Sequence, residues 1–130
     1  MMDLETPYLR MGGADGVRRL TTRFYDLMDE LPEAAACRAI HPADLSASRE
    51  KLFEYLSGWL GGPPLFTDKY GAPMLRRRHF GPSIGKPEAD GWLACFHQAW
   101  ADTVSDNALT QDLMPKINAL ALHMINKPAA

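Results

Sequence analysis

The clearest pattern in the chain runs from about Gly13 to Leu31, where Val17, Leu20, Phe24, Leu27, Met28 and Leu31 recur at steps of three and four. That spacing gathers them on one face of a helix, and Pro32 ends it because proline has no amide proton and crowds the preceding turn. A second helical pattern, from about Asp44 to Leu60, aligns Leu45, Ser48, Leu52, Tyr55, Leu56 and Trp59, with Asp44 or Ser46 as its cap. Gly61, Gly62, Pro63 and Pro64 then break the chain, and the stretch from Pro63 to Pro73 predicts a loop carrying Phe66 and Tyr70. Between Pro73 and Gly81 there is room for two turns of helix, Met74 to Phe80. Pro87 is suited to open a further helix reaching about Ser105, with Glu88 and Asp90 at its positive end and Trp92, Phe96, Ala99, Trp100 and Thr103 at helical spacing. A last helix, about Asn107 to Asn126, carries the stripe Leu113, Ile117, Leu120, Ala121 and Met124, and Pro115 is expected to bend or divide it. No alternating stretch of useful length and no repeat interrupts this pattern, so the fold class is all-α with four principal helices.

Composition narrows the functional classes. A chain of 130 residues, 46% hydrophobic and 23% charged, suits one globular domain with a real core. Fourteen basic against sixteen acidic side chains give a formal charge of −2, which provides no field to hold nucleic acid. The apolar stretches are interrupted well before the roughly 20 residues a membrane helix needs, and Met1 to Glu5 lack a basic-then-apolar leader, so a cytoplasmic location is expected. Cys37 and Cys95, far apart and without metal-like spacing, are expected to be reduced, buried thiols.

Four helices of these lengths can cover one another without an irregular middle segment, so that segment invites a chemical explanation. His79 is its most informative residue. A neutral imidazole on a short, constrained element is a good ligand for haem iron. Leu75, one turn earlier, would press on the same flat ligand, while Arg76, Arg77, Arg78 and Lys69 offer cations to its propionates. Taken as residues alone, Arg76 to His79 read equally as a solvated basic patch, which would suit a cofactor-free helical interaction module with an acidic partner. Tyr25 and Trp92 by themselves are equally core residues, and His41 equally an exposed turn residue before Pro42.

The ordered set of motifs shifts that balance. Phe24-Tyr25, Ile40-His41-Pro42, Leu56-Ser57-Gly58-Trp59-Leu60-Gly61-Gly62-Pro63, Gly71-Ala72-Pro73-Met74-Leu75-Arg76-Arg77-Arg78-His79, and Trp92 thirteen residues after His79 resemble the group II truncated haemoglobins from about Gly12 to Asn126. The resemblance implies a shortened globin fold, one domain over 1–130, in which two antiparallel helix pairs sandwich haem b and the proximal helix is a short piece in a long loop. It implies His79 as the proximal iron ligand and Tyr25, His41 and Trp92 as the distal residues. His41 stands where the group carries tyrosine, histidine or phenylalanine, and Ser48 stands where ordinary globins carry the distal histidine. Phe24, Leu52, Phe53, Tyr55, Leu60, Phe66, Tyr70, Phe80, Ile84 and Phe96 are then candidates to line the apolar slot, with Lys69 and Arg78 toward the propionates. Ala72 departs from the histidine often found before Pro73. The implied ligands are dioxygen, nitric oxide and similar small molecules, with slow oxygen release, nitric oxide dioxygenase or peroxidase-like chemistry, an unidentified reductase, and a monomer or weak dimer.

Overall fold

The computed structural model describes residues 6–71 and 84–125. Through them run α1 (Pro7–Arg10), α2 (Gly13–Glu30), a 3-10 turn (Pro32–Ala34), α3 (Ala35–Ala39), α4 (Ser46–Trp59), α5 (Leu65–Tyr70), α6 (Lys86–Thr103) and α7 (Asn107–His123). No strand occurs among the described residues. The four long helices expected from periodicity are α2, α4, α6 and α7, with ends displaced by a few residues at most. The short helix expected over Met74 to Phe80 lies outside the described residues.

The apolar face of α2 packs along α6. Val17, Leu20 and Phe24 join Phe96, Cys95 and Ala99 in one cluster sealed from solvent, and each large apolar side chain in it contributes about 1.5–3 kcal/mol. The other long helices pack outward from this contact, α4 against α2 and α7 against α6, giving two helix pairs joined through α2 and α6. The 3-10 turn and α3 lie on α6 where Gly91 allows close approach: a Cβ at Gly91 would sit 3.1 Å from both the Ala34 Cα and the Cys37 Cβ.

Helix ends follow from local chemistry. Asp106 caps α7 by accepting the Leu109 N–H at 3.0 Å, and its other carboxylate oxygen takes two hydrogen bonds from Arg10 at 2.8 and 3.1 Å. At the start of α4 the cap position is Leu45, and Asp44 serves from one residue earlier, accepting the Ser46 N–H at 2.9 Å. Glu88 accepts the Gly85 N–H at 2.7 Å and steadies the start of α6. Between α1 and α2 the chain turns through Gly12 and Gly13, whose φ values of +106° and +68° are open to glycine with little strain.

One expectation is corrected, and two points left open by the sequence are resolved. The stretch from Pro63 to Pro73 is not all loop, since α5 occupies Leu65–Tyr70. Pro63 and Pro64 precede the helix, where a missing N–H is harmless, and Gly71 at φ +83° ends it; six residues are too few for a periodic pattern to register. After Pro32, where periodicity gave no element, the chain forms the 3-10 turn and α3, short pieces supported by packing on α6. Pro115 does not divide the last helix, which runs unbroken from Asn107 to His123. The carbonyl that Pro115 leaves without an N–H donor belongs to Gln111, and both residues are exposed, so water can satisfy it.

Candidate functional site

A cavity of about 510 Å³ lies between the helix pairs, bordered by α2, α3, α4, α5, the start of α6 and the end of α7. Its volume falls in the range of roughly 300–1,000 Å³ common to cofactor pockets. Rings supply much of the wall. Tyr55 and Phe66 meet edge to face at 6.1 Å, and Phe66 and Tyr70 lie 4.7 Å apart, while Leu52, Ile84, Leu120, Ala121 and Met124 add aliphatic surface. A flat apolar ligand fits such a lining.

The polar groups are few. Tyr25 sits on α2 at 5% exposure, with the Phe24 ring edge-on at 4.8 Å behind it. Burial raises the Tyr25 pKa, the Cys37 and Cys95 thiols add to the shift and Arg49 opposes it, so the phenol stays protonated and remains a donor. Trp92 on α6 is held by Phe24 at 5.4 Å and stacks on Phe96 at 5.2 Å. Neither the Tyr25 hydroxyl nor the Trp92 indole N–H forms a hydrogen bond with any described residue, whereas the buried Trp100 donates to Thr110 Oγ1 at 2.7 Å. Two donors that face one cavity and have no acceptor among the described residues mark a place suited to a polar ligand.

His41 is more constrained than the sequence suggests. Its Nδ1 lies 2.8 Å from the Cys37 carbonyl oxygen, and a carbonyl can only accept, so the ring proton is on Nδ1. In the neutral ring Nε2 is then an acceptor, and His41 donates from that atom when protonated. Its ring stands edge-on to Tyr25 at 5.9 Å. Ser48 lines the cavity from α4, with Leu52 one turn further on.

Other candidates are placed differently. Phe24 is fully buried behind Tyr25 and Trp92 and does not border the cavity. Phe53 carries the Arg18 guanidinium 3.7 Å above its ring, and Leu60 lines a separate groove, so neither faces the slot expected for them. Lys69 donates to Glu54 Oε2 at 3.1 Å, a bond that raises its pKa, and is absent from the cavity wall. Among the described residues the lysine that does line the cavity is Lys51, 5.9 Å from the centre of the Tyr70 ring. Lys51 stands three residues after Ser48, a spacing that puts both on one helix face and was legible in the sequence. Cys37 and Ile40 were missed because α3 was missed. His79, Leu75, Arg76, Arg77, Arg78 and Phe80 lie outside the described residues.

Comparison with known proteins gives this arrangement a family. The model of the bacterial-like globins matches residues 6–126. The structure is similar to the group II 2-on-2 haemoglobin of Agrobacterium tumefaciens, with 51% identity, 98% of both chains covered and a TM-score of 0.94. The chain belongs to the group II truncated haemoglobins. It is also 32% identical over 118 residues to the group 2 truncated haemoglobin YjbI of Bacillus subtilis (strain 168), covering 91% of this chain and 87% of that relative. The truncated oxygen-avid haemoglobin of Bacillus subtilis superposes with a TM-score of 0.84 at 32% identity, over 94% of this chain and 100% of that one. The two helix pairs of this truncated haemoglobin are thus the 2-on-2 globin sandwich, and membership of the family implies haem-based ligand binding. No described helix is long and apolar enough to cross a membrane.

Proposed function

We propose that this truncated haemoglobin holds haem b in the cavity between the helix pairs, with His79 as the iron ligand, and retains dioxygen through the Tyr25 hydroxyl and the Trp92 indole N–H. The observation that carries the proposal is the pair of donors on one cavity wall, Tyr25 and Trp92, that have no acceptor among the described residues. Haem, when bound, supplies an iron that takes up diatomic gases and can turn over nitric oxide or peroxide when a reductase provides electrons. The chain's own residues do the rest. Tyr25, kept protonated by burial, donates to a ligand that gathers negative charge, and Trp92 donates beside it. Each such bond in a dry pocket contributes about 1–3 kcal/mol, which favours slow oxygen release. The resemblance to an oxygen-avid haemoglobin supports the same conclusion. His41, its Nδ1 proton committed to Cys37, offers an acceptor at Nε2 in its neutral form and a further donor in its protonated form. Lys51 is the cation suited to a propionate, joined by Arg78.

The decisive experiment is the visible spectrum of the purified protein. A Soret band that collapses in His79→Ala supports the assignment. A colourless, folded protein that cannot take up haem overturns it and leaves the Arg76 to His79 patch, binding an acidic partner in a salt-sensitive way, as the better account.

A further inference from the structure

We infer that Leu120 is the gate of a side route by which uncharged gases reach the site cavity; the inference rests on the haem reading above. Leu120 borders two hollows at once. In the site cavity it stands beside Ala121 and Met124. It also forms part of a separate groove of about 700 Å³, whose walls include Trp59, Leu60, Gly61, Leu113 and Ala119. On α7 the groove takes Lys116, Ala119, Leu120 and His123, while the cavity takes Leu120, Ala121 and Met124. The two sets occupy adjoining helix faces, and Leu120 is the residue on their boundary.

Among the described residues, Leu120 is the one side chain that borders both hollows. Trp59 and Leu60 at the end of α4 form one flank of the groove and α7 the other, yet α4 packs on α2 and α5 while α7 packs on α6. The partly buried Leu120 stands at the point both hollows share. A leucine changes rotamer readily compared with any movement of a packed helix, so a transient opening wide enough for a diatomic molecule needs no change in the fold.

The chemistry of the route selects its traffic. Asp112, Lys116 and His123 surround the groove with polar groups, but Leu60, Leu113 and Leu120 offer a passing molecule no hydrogen bond from their aliphatic side chains. An anion would have to shed its hydration there, whereas dioxygen, nitric oxide or carbon monoxide would not. The gate therefore favours uncharged gases over anionic ligands.

A gate has a kinetic signature distinct from that of a ligand contact. It alters the barrier common to both directions, so association and dissociation change by the same factor and the dissociation constant stays constant. Two variants test this in the haem-loaded protein: Leu120→Ala widens the passage, and Ala119→Trp, at an exposed position, fills the groove. Carbon monoxide binding after flash photolysis should speed up on the order of three- to tenfold in the first and slow by a similar factor in the second, at unchanged affinity. Azide, an anion at pH 8, should associate with the ferric protein at a rate that moves by less than about twofold in both, as its charge predicts. Xenon under pressure provides a readout independent of ligand binding, since apolar passages take it up. Crystals of the parental protein should hold an atom against Leu120 on the groove side, and crystals of Ala119→Trp should not. Carbon monoxide rates within about twofold of the parent in both variants, or rates that move together with the dissociation constant, overturn the gate. Absence of a Soret band overturns the haem assignment instead, so the two failures are told apart.

Discussion

Tyr25→Phe separates function from stability in a way the structure makes quantitative. The substitution removes one hydroxyl from a ring that is 5% exposed, edge-packed on Phe24, and without a hydrogen-bond acceptor among the described residues. Were that hydroxyl bonded to the chain, its loss would destabilise the fold by about 0.5–1.5 kcal/mol. With no bond to the described chain to lose, and the hydroxyl facing the cavity, the apoprotein should keep its stability or gain up to about 1 kcal/mol as a polar group leaves an otherwise apolar wall. For a chain of 130 residues the unfolding entropy near the midpoint is about 270 cal/mol/K, so this corresponds to a Tm unchanged or raised by up to about 4 °C. Oxygen retention should respond in the opposite sense. Loss of about 1–3 kcal/mol of hydrogen bonding to the bound gas accelerates dissociation roughly 5- to 150-fold. Thermal unfolding of the apoprotein followed by circular dichroism, and oxygen release followed by stopped-flow absorbance, measure the two effects separately. A variant that loses several degrees of Tm while releasing oxygen at the parental rate would show that the hydroxyl is structural and that the donor assignment is mistaken.

Lys51→Glu places a negative charge where the cavity carries its cation, and haem transfer to an apomyoglobin acceptor should accelerate on the order of tenfold, while Lys69→Glu, which reverses the charge bound to Glu54, should change that rate far less. Asp106→Ala removes both the α7 cap and the partner of Arg10, so urea unfolding should report a loss of about 1–2 kcal/mol. Because accepting the Leu109 N–H lowers the Asp106 pKa, that stabilisation is present above the unfolded aspartate value of about 3.9 and fades as pH falls through the folded value. Burial pushes the Cys37 thiol up to about 12 and the Cys95 thiol up to about 11. Folding therefore keeps both protonated, a stabilisation fully present below the unfolded thiol value of about 8.5 and lost as pH rises through those folded values. Urea midpoints measured from pH 8 to pH 11 should fall, and Cys37→Ala or Cys95→Ala should flatten the decline.

What the chain determines by itself is whatever depends on neighbours three and four residues apart or on a single breaker. The long helices belong here, because the apolar steps of α2, α4, α6 and α7 are written locally and the prolines and glycines stop them wherever they occur. The ordered motifs also singled out Tyr25 and Trp92, which the fold places on one cavity wall. Tertiary packing decided the rest. The short helices α3 and α5 are stabilised by packing on α6 and α4, which no local pattern encodes. Lys51 lines the cavity while Lys69 pairs with Glu54, a choice set by which acid the fold brings within 3.1 Å. The proton of His41 is assigned by a carbonyl at 2.8 Å on the helix that sequence patterning missed. Leu120 reads in the sequence as one more residue of an apolar stripe, and its place on the boundary of two hollows depends on how the helices around α7 pack.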